Sequence, residues 1–193
     1  PEVDAERRRE FFAIVMRESE RLTRLINQVL DLSKIESGAM DWNITDVDMI
    51  DLIQESIHSM SQLFNERRIT LDLRLPDDLP LVAIDRDRVQ QVILNLLANA
   101  IKFCDPDDGK VGVHLRTGLT RLYVDVIDNG LGVPAEAQTV IFDKFGQVGN
   151  VAHGKPQGTG LGLPISRQII AHFDGELSVH SEPGEGATFT FTL

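Results

Sequence analysis

A stretch of more than thirty residues near the start of the chain contains neither glycine nor proline, the residues that disfavour helices most strongly. Between Asp4 and Ser37, apolar residues recur at spacings of three and four, at Phe12, Val15, Leu22, Leu25, Ile26, Val29, Leu32 and Ile35. This pattern predicts one long amphipathic helix that ends at Gly38, because glycine suits a left-handed C-cap. A lone helix cannot bury its own apolar stripe, so the helix is expected to pair with others in a bundle. The alternative is that it folds back onto the rest of the chain.

After Gly38 the sequence alternates between strand-like and helix-like segments. Asp48 and Asp85 are predicted N-caps, the first of a helix reaching about Asn65 and the second of a helix through Phe103. Two further helices are expected, from Pro134 to about Phe145 and from Leu161 to Phe173. Strands are predicted over residues 68–75, 81–84, 110–117, 121–128, 176–182 and 187–193, with a hairpin joining the third and fourth. This order predicts an α+β protein, a two-layer α/β sandwich in which helices cover a mixed sheet.

Composition narrows the range of partners. The formal net charge of −11 argues against a nucleic-acid surface, which requires clustered Lys and Arg. Cys104 is the only cysteine, so neither an intrachain disulfide nor a cysteine-rich zinc site is expected. No apolar run approaches the ~20 residues that cross a bilayer, so this chain is predicted to contain no membrane segment and to be cytoplasmic. Because the sequence does not begin with Met, we interpret it as part of a longer protein, which could be membrane-anchored.

Two polar features in the second half of the chain have both a functional and an ordinary interpretation. Gln91, Asn95, Asn99 and Lys102 share one face of the helix that follows Asp85. Amide oxygens can bind a hard cation and an ammonium can bind phosphate, although an exposed helix face is also commonly polar. Asp128 ends an apolar strand just before two glycines. Its carboxylate can accept a hydrogen bond from the amino group of a heterocycle, or it can simply open a turn.

The segment QGTGLGLPIS, residues 157–166, places three glycines directly before a predicted helix. Glycines at a helix N-terminus can let an anion approach backbone N–H groups, whereas the same composition also suits a flexible surface turn. Neither standard phosphate loop fits, because no Gly-Lys-Ser/Thr follows and the glycine spacing is not that of dinucleotide-binding folds.

Five segments, taken in order, resemble the N, G1, F, G2 and G3 boxes of sensor histidine kinases. They are LNLLANAIKF (94–103), VIDNGLGVP (126–134), IFDKFGQ (141–147), QGTGLGLPIS (157–166) and GEGATFTF (184–191). Residues 21–38 resemble the second helix of the dimerisation and phosphotransfer domain of the same kinases. The resemblance implies a truncated dimerisation domain over residues 1–38, a linker over 39–46 and an ATP-binding catalytic domain over 47–193.

The resemblance also implies the ligands, ATP and Mg²⁺, and roles for individual residues. Asn99 would bind Mg²⁺ with the help of Asn95, Asp128 would accept from the adenine amino group, and Thr188 would lie near the adenine. Phe142 and Phe145 would anchor a mobile lid over about residues 146–159. The implied ATP-binding residues are Asn95, Asn99, Lys102, Asp128, Gly130, Gly132, Phe145, Gly158, Thr159, Gly160, Leu161, Gly162, Leu163 and Thr188.

The chain departs from these kinases in one respect, since no histidine followed by an acidic residue precedes the ATP-binding domain. The five histidines are His58, His114, His153, His172 and His180, and only His153, in the expected lid, is a candidate for nucleotide contact. We therefore expect no catalytic nucleophile here and no self-phosphorylation by this chain alone. The implied partners are a phosphoacceptor helix outside the chain, a second protomer and the receiver domain of a response regulator.

Two alternative functions follow from the same residues. The first is a nucleotide-binding regulatory module, a pseudokinase that acts through protein interaction. The second is a hydrolase or chaperone of the same ATPase superfamily, which would normally carry Glu at the position of Asn95 to activate water. Asn cannot serve as a general base, so we rank this alternative last.

Overall fold

A computed structural model describes residues 5–146 and 158–193 and divides the chain into two compact units. The first unit ends at Met40 and the second begins at Asp41. Among the described residues, no helix is both long enough and apolar enough to cross a membrane.

The first unit is built on one helix, α1, which spans Ala5–Glu36. The helix ends as predicted, because Gly38 adopts a φ of 67° and the Ala39 N–H donates to the Lys34 carbonyl at 2.9 Å. The predicted start at Asp4 lies outside the described residues. Much of the apolar stripe is open to solvent, with Leu22 and Ile26 each 59% exposed.

The second unit contains a five-stranded mixed sheet. Its strands are β2 (Thr70–Arg74), β4 (Lys110–Thr117), β5 (Leu122–Asp128), β6 (Leu177–Ser181) and β7 (Ala187–Thr192). Their order in the sheet is β2-β4-β5-β7-β6, and β2 runs parallel to β4 while every other pair is antiparallel. The β4–β5 pair is the predicted hairpin. A separate two-stranded antiparallel sheet joins β1 (Ile44–Val47) to β3 (Val82–Asp85).

Helices cover one face of the large sheet. They are α2 (Met49–Ser59), α3 (Ser61–Glu66), α4 (Arg86–Phe103) and α5 (Gly162–His172), of which α4 and α5 pack on the sheet and on each other. The predicted caps are confirmed, since Asp48 accepts from the Ile50 N–H at 2.8 Å and Asp85 from the Arg88 N–H at 3.1 Å. This two-layer arrangement is the predicted α+β sandwich.

Two helix predictions need correction. The helix expected to run from the Asp48 cap to about Asn65 is interrupted at Met60, whose φ of −104° and ψ of 4° are not helical, so the segment forms α2 and α3. The helix expected from Pro134 to about Phe145 is replaced by two short 3₁₀ turns, Ala135–Ala137 and Val140–Phe142. A helix cannot continue through Phe145, because its φ of 62° is left-handed.

The core of the second unit lies between α4 and the sheet. The seven apolar residues predicted to form the stripe of α4 are each at most 3% exposed: Val89, Val92, Ile93, Leu96, Leu97, Ala100 and Ile101. Across from them the core face of the sheet contributes Val113, Val126 and Phe191. The same helix that anchors this core carries Asn95, Asn99 and Lys102 on a less buried side.

The first residues of the second unit are fixed to its main body. The Trp42 indole stacks on the His172 imidazole with ring centroids 3.8 Å apart, and the Phe173 ring meets the indole edge-on. The Asn43 N–H donates to Asp85 Oδ2 at 2.9 Å, and β1 follows directly. The predicted linker, residues 39–46, therefore includes most of β1 and an aromatic contact of the second unit.

Candidate functional site

The beginning of α5 packs against the middle of α4. Asn95 Nδ2 donates to the buried Ser166 Oγ at 3.0 Å. A Cβ on Gly162 would collide with the Asn95 side chain, so glycine allows this close packing without displacing the amide. Two predicted site residues from distant parts of the sequence, Asn95 and Gly162, are therefore in direct proximity.

The turn before α5 is held by backbone contacts. The Phe145 N–H donates to the Gly160 carbonyl at 2.9 Å, and a Cβ on Gly160 would lie 2.7 Å from the Phe145 Cα. Thr159 Oγ1 accepts from the Leu161 N–H at 3.3 Å, just before the first residue of the helix. This glycine-rich turn leads into the positive end of the α5 dipole, which favours an anion. Most of the expected lid, including His153, lies outside the described residues.

Asp128 is a buried carboxylate at the end of β5, only 6% exposed. Its Oδ1 accepts from the Gly130 N–H at 2.9 Å. Burial raises the pKa of Asp128 above its usual value, and hydrogen bonds from the backbone of Gly130 and Ala187 offset only part of that increase. Burying a charged carboxylate here lowers the stability of the fold. Ionisable groups whose pKa is shifted in this way are typical of functional sites.

The C-terminal end of α4 reaches the loop that contains Gly130. A Cβ on Gly130 would collide with the Phe103 carbonyl, so glycine permits this contact. From Asn95 to Phe103 the helix covers about 12 Å at 1.5 Å per residue. The C-terminal half of α4 therefore runs from the glycine-rich turn beside Asn95 to the surroundings of Asp128, along a length that suits an elongated ligand.

Asn99 and Lys102 occupy the part of α4 between these two ends, and both are half-buried. Burial lowers the pKa of Lys102 from its usual value. Its Nζ lies 4.3 Å from the centroid of the Phe103 ring and 3.8 Å from the position that a Cβ on Gly158 would occupy. The structure thus places a cationic side chain beside the glycine-rich segment, in a chain whose overall charge is strongly negative.

The predicted role of Thr188 requires correction. In the pairing of β5 with β7, Asp128 is opposite Ala187, whereas Thr188 is opposite Ile127. Successive strand residues point to opposite faces of a sheet, so Thr188 and Asp128 lie on different faces. The residue of β7 that lies beside Asp128 on the core face is Ala187.

Gly130 and Gly132 are both required by the packing of the chain itself. Gly132 has a φ of 71°, and a Cβ there would collide with the Glu182 carbonyl. Together with the contact between Gly130 and Phe103, this packing means that both glycines accommodate the backbone of the chain itself.

Sequence reasoning missed several side chains that shape this region. Asn129 Oδ1 accepts from the Lys110 N–H at 2.8 Å, and its Nδ2 donates to the Asp108 carbonyl at 2.7 Å. Ser181 and Gln138 make comparable bonds to the backbone of the loop after β5. The Asn-Gly pair indicated a turn but not its partners, and nothing in the local sequence marked Ser181 or Gln138.

Comparison with known protein families shows the family to which the chain belongs. A family model described as "Histidine kinase-, DNA gyrase B-, and HSP90-like ATPase" matches residues 84–193, more than half of the chain. The chain belongs to this ATPase family. A second model, "His Kinase A (phospho-acceptor) domain", matches residues 2–38. The two matches in this order are those of a two-component histidine kinase.

Relatives of this ATPase include bacterial sensor proteins. "Drug sensory protein A" of Synechocystis sp. is 37% identical over 96% of the chain and 29% of its own length. "Sensor histidine kinase RcsC" of Escherichia coli is 38% identical over 91% of the chain and 18% of its own length. The chain spans less than a third of each of these two relatives.

Two solved structures share this fold over the whole chain. Full-length ShkA in complex with AMPPNP aligns with a TM-score of 0.84 at 28% identity, over 100% of this chain and 39% of that one. Histidine kinase ThkA in complex with the response regulator protein TrrA aligns with a TM-score of 0.78 at 25% identity, over 100% of this chain and 52% of that one. The α+β fold and the histidine kinase relationship agree with the sequence predictions.

Proposed function

We propose that this chain is the ATP-binding catalytic portion of a sensor histidine kinase, which binds Mg-ATP and presents its γ-phosphate to a histidine on a helix outside the chain. The observation that carries the proposal is the arrangement along α4. A glycine-rich helix N-terminus contacts α4 near Asn95, and the loop after the buried Asp128 contacts it near Phe103. The AMPPNP complex of the similar protein ShkA supports a nucleotide as the ligand.

Asp128 is the proposed contact for the adenine base. Its Oδ1 already accepts from the Gly130 N–H, and a carboxylate has further acceptor positions for the amino group of adenine. Guanine presents a carbonyl oxygen at the equivalent ring position, and two acceptors would repel each other. The site is therefore expected to prefer adenine nucleotides.

The phosphates would extend from the base towards α5. There they would meet the positive end of the α5 dipole and the Lys102 ammonium. These local groups are needed because the chain as a whole carries a net charge of −11, which repels phosphate.

The residues present also fit Mg²⁺. Asn99 and Asn95 offer amide oxygens, which are hard ligands of the type that this cation binds together with substrate phosphates. When bound, Mg²⁺ would neutralise charge on the phosphate oxygens. The contribution of the chain itself is to hold the nucleotide in position, which accounts for much of catalysis in phosphoryl transfer.

The partners would complete the reaction. Residues 2–38, which match the phospho-acceptor model, contain no histidine, so the acceptor is proposed to lie on a helix that pairs with α1. The exposed apolar stripe of α1 supports such pairing in a dimeric bundle. A response regulator is the proposed final acceptor, as the ThkA complex with TrrA suggests.

Titration calorimetry with ADP, with and without Mg²⁺, tests this proposal. Asn99→Ala should weaken ADP binding about tenfold in Mg²⁺, and the loss should shrink when Mg²⁺ is chelated, because the missing amide acts through the cation. Asn65→Ala, on the exposed surface of α3, is the matched control and should bind like wild type. Failure of the wild-type chain to bind ADP would refute the proposal.

A further inference from the structure

Near Asp128, a hydrogen-bonded cluster joins three separate segments. It consists of the side chains of Ser181 and Gln138 with the backbone groups of Val133 and Gly186, and we call it the Ser181 clamp. None of its members belongs to the predicted binding residues. The clamp connects the end of β6 and the turn that follows it to the loop after β5.

Ser181 is the centre of the clamp. Its hydroxyl is largely buried, accepts from the Val133 N–H at 2.7 Å and donates to the Gly186 carbonyl at 2.6 Å. Ser181 is paired with Ala187, which is paired in turn with Asp128, so all three lie in one row across the core face of the sheet. The hydroxyl therefore joins both backbone segments that flank Asp128.

Gln138 holds the same loop from the other side. Its Nε2 donates to the Val133 carbonyl at 3.0 Å and to the Ser181 carbonyl at 2.8 Å. A backbone bond from the Gly184 N–H to the Leu131 carbonyl at 2.8 Å runs alongside. The loop after β5 is thus fixed at Leu131 and at Val133, on either side of Gly132.

This fixation matters for Asp128 because the same loop orients its carboxylate. The Gly130 N–H binds Asp128 Oδ1, and Gly130 lies only three residues before Val133. If the loop shifts, the carboxylate loses the Gly130 donor and keeps only the hydrogen bond from the backbone of Ala187, so that its orientation is less strictly fixed. Fixed direction of an acceptor is what allows discrimination between an amino group and a carbonyl on a ligand.

We propose that Ser181 and Gln138 are positioning residues for recognition of the 6-amino group of a purine, acting through the loop that orients Asp128. The proposal rests on the proposed function, because it deepens the role of the same site. Neither side chain touches the base. Their effect is on the choice of base rather than on the phosphates or on Mg²⁺.

Ser181→Ala is the principal test, with Ser56→Ala as its matched control. Ser56 is fully buried and its hydroxyl also donates to a backbone carbonyl, that of Leu52 at 2.7 Å, but it lies in α2. With Mg²⁺ present, Ser181→Ala should weaken ADP binding about fivefold, as expected for the loss of hydrogen bonds in a folded protein. Because GDP binding should change little, the preference for ADP over GDP should fall. Ser56→Ala should leave both affinities unchanged.

Gln138→Leu provides a second route that leaves β6 intact. It should lower the preference for ADP in the same direction, by about twofold to threefold. The Ser181→Ala and Gln138→Leu double variant should lose less than the sum of the two single losses, since both residues hold one loop. Fully additive losses, or an unchanged ADP to GDP ratio in both single variants, would overturn the proposal.

Amide hydrogen exchange without nucleotide separates the clamp from the proposed function. In Ser181→Ala the amides of Val133 and Gly130 should exchange faster than in wild type, whereas Ser56→Ala should leave them unchanged. Unchanged exchange at both amides in Ser181→Ala would refute the clamp even if ADP binds. If wild type binds no ADP, the proposed function fails, while the exchange comparison still decides whether the clamp orients this loop.

Discussion

Strand β5 carries two buried aspartates, Asp125 and Asp128, on opposite faces of the sheet. Asp125 is surrounded by donors, since Arg116 Nε donates to its Oδ2 at 2.9 Å and Thr190 Oγ1 to its Oδ1 at 2.7 Å. Asp128 lies on the core face, where the Gly130 N–H donates to its side chain. The two carboxylates are similar in burial and differ in what surrounds them.

The pKa values of these two groups move in opposite directions. Burial alone would raise the pKa of Asp125, but the hydrogen bonds from Arg116 and Thr190 outweigh it and the pKa is lowered. For Asp128 burial outweighs the backbone hydrogen bonds and the pKa is raised. A buried carboxylate whose charge is balanced by donors within the protein stabilises the fold. A buried carboxylate with too few donors lowers the stability of the fold, and its free acceptor positions are available to a ligand.

Exchanging each aspartate for asparagine should separate ligand binding from stability, and the largest expected effect is on binding. Asp128→Asn should weaken ADP binding by about tenfold to a hundredfold, because the acceptor for the adenine amino group is replaced in part by a donor. Asp125→Asn should bind ADP like wild type. Titration calorimetry measures both, and equal losses in the two variants would remove the distinction between the faces.

Stability should respond in the opposite way. Near pH 7, Asp125→Asn should lower the free energy of unfolding by about 1–2 kcal/mol, because Arg116 and Thr190 lose a charged acceptor. Asp128→Asn should raise the free energy of unfolding, because it removes the cost of burying a charge. Urea unfolding followed by the fluorescence of Trp42, the single tryptophan, reports on the second unit. A loss of stability near pH 7 in Asp128→Asn would contradict this assignment.

The differences in unfolding free energy between wild type and the two asparagine variants should both disappear in acid, for opposite reasons. The lowered pKa of Asp125 means that its contribution is present above the unfolded pKa and is lost as the pH falls through the folded value. The raised pKa of Asp128 means that its cost is present above the folded pKa and is gone below the unfolded value. Repeating the unfolding experiment over a series of pH values tests both signs, and a pH-independent difference for either variant would contradict them.

The smallest effect concerns two threonines of β7. Thr190→Val should lower the free energy of unfolding by about 0.5–1.5 kcal/mol, since it removes the hydrogen bond to Asp125. Thr188→Val should leave ADP affinity unchanged, because Thr188 shares the face of Thr190 and not that of Asp128. A clear loss of ADP binding in Thr188→Val would restore the role that the sequence predicted for this residue.

The helices and caps that are determined by neighbouring residues in the sequence were predicted well. The stripe of α4 repeats at helical spacing, and its cap at Asp85 precedes it directly, so both could be read from neighbouring residues. The break at Met60 carries no glycine or proline and could not be foreseen. Nor could the parallel pairing of β2 with β4, because it depends on strands that lie far apart in the sequence.

The site was predicted less completely, because strand register and long-range bonds decide its details. The motif order placed Thr188 near the adenine, but a difference of one residue in a strand moves a side chain to the other face. Two of the bonds of Ser181 and Gln138 join residues more than forty positions apart, and such pairs leave no pattern in a single sequence.

The stacking of Trp42 on His172 bears on how such proteins can be recombined. A chimeric protein joined at residue 47, the boundary that the motifs alone suggest, would discard the indole, the Asn43 bond to Asp85 and most of β1. Half of the small two-stranded sheet and one side of an aromatic cluster would then be exposed. A better point for joining this unit to another protein therefore lies before Asp41, where one compact unit ends and the next begins.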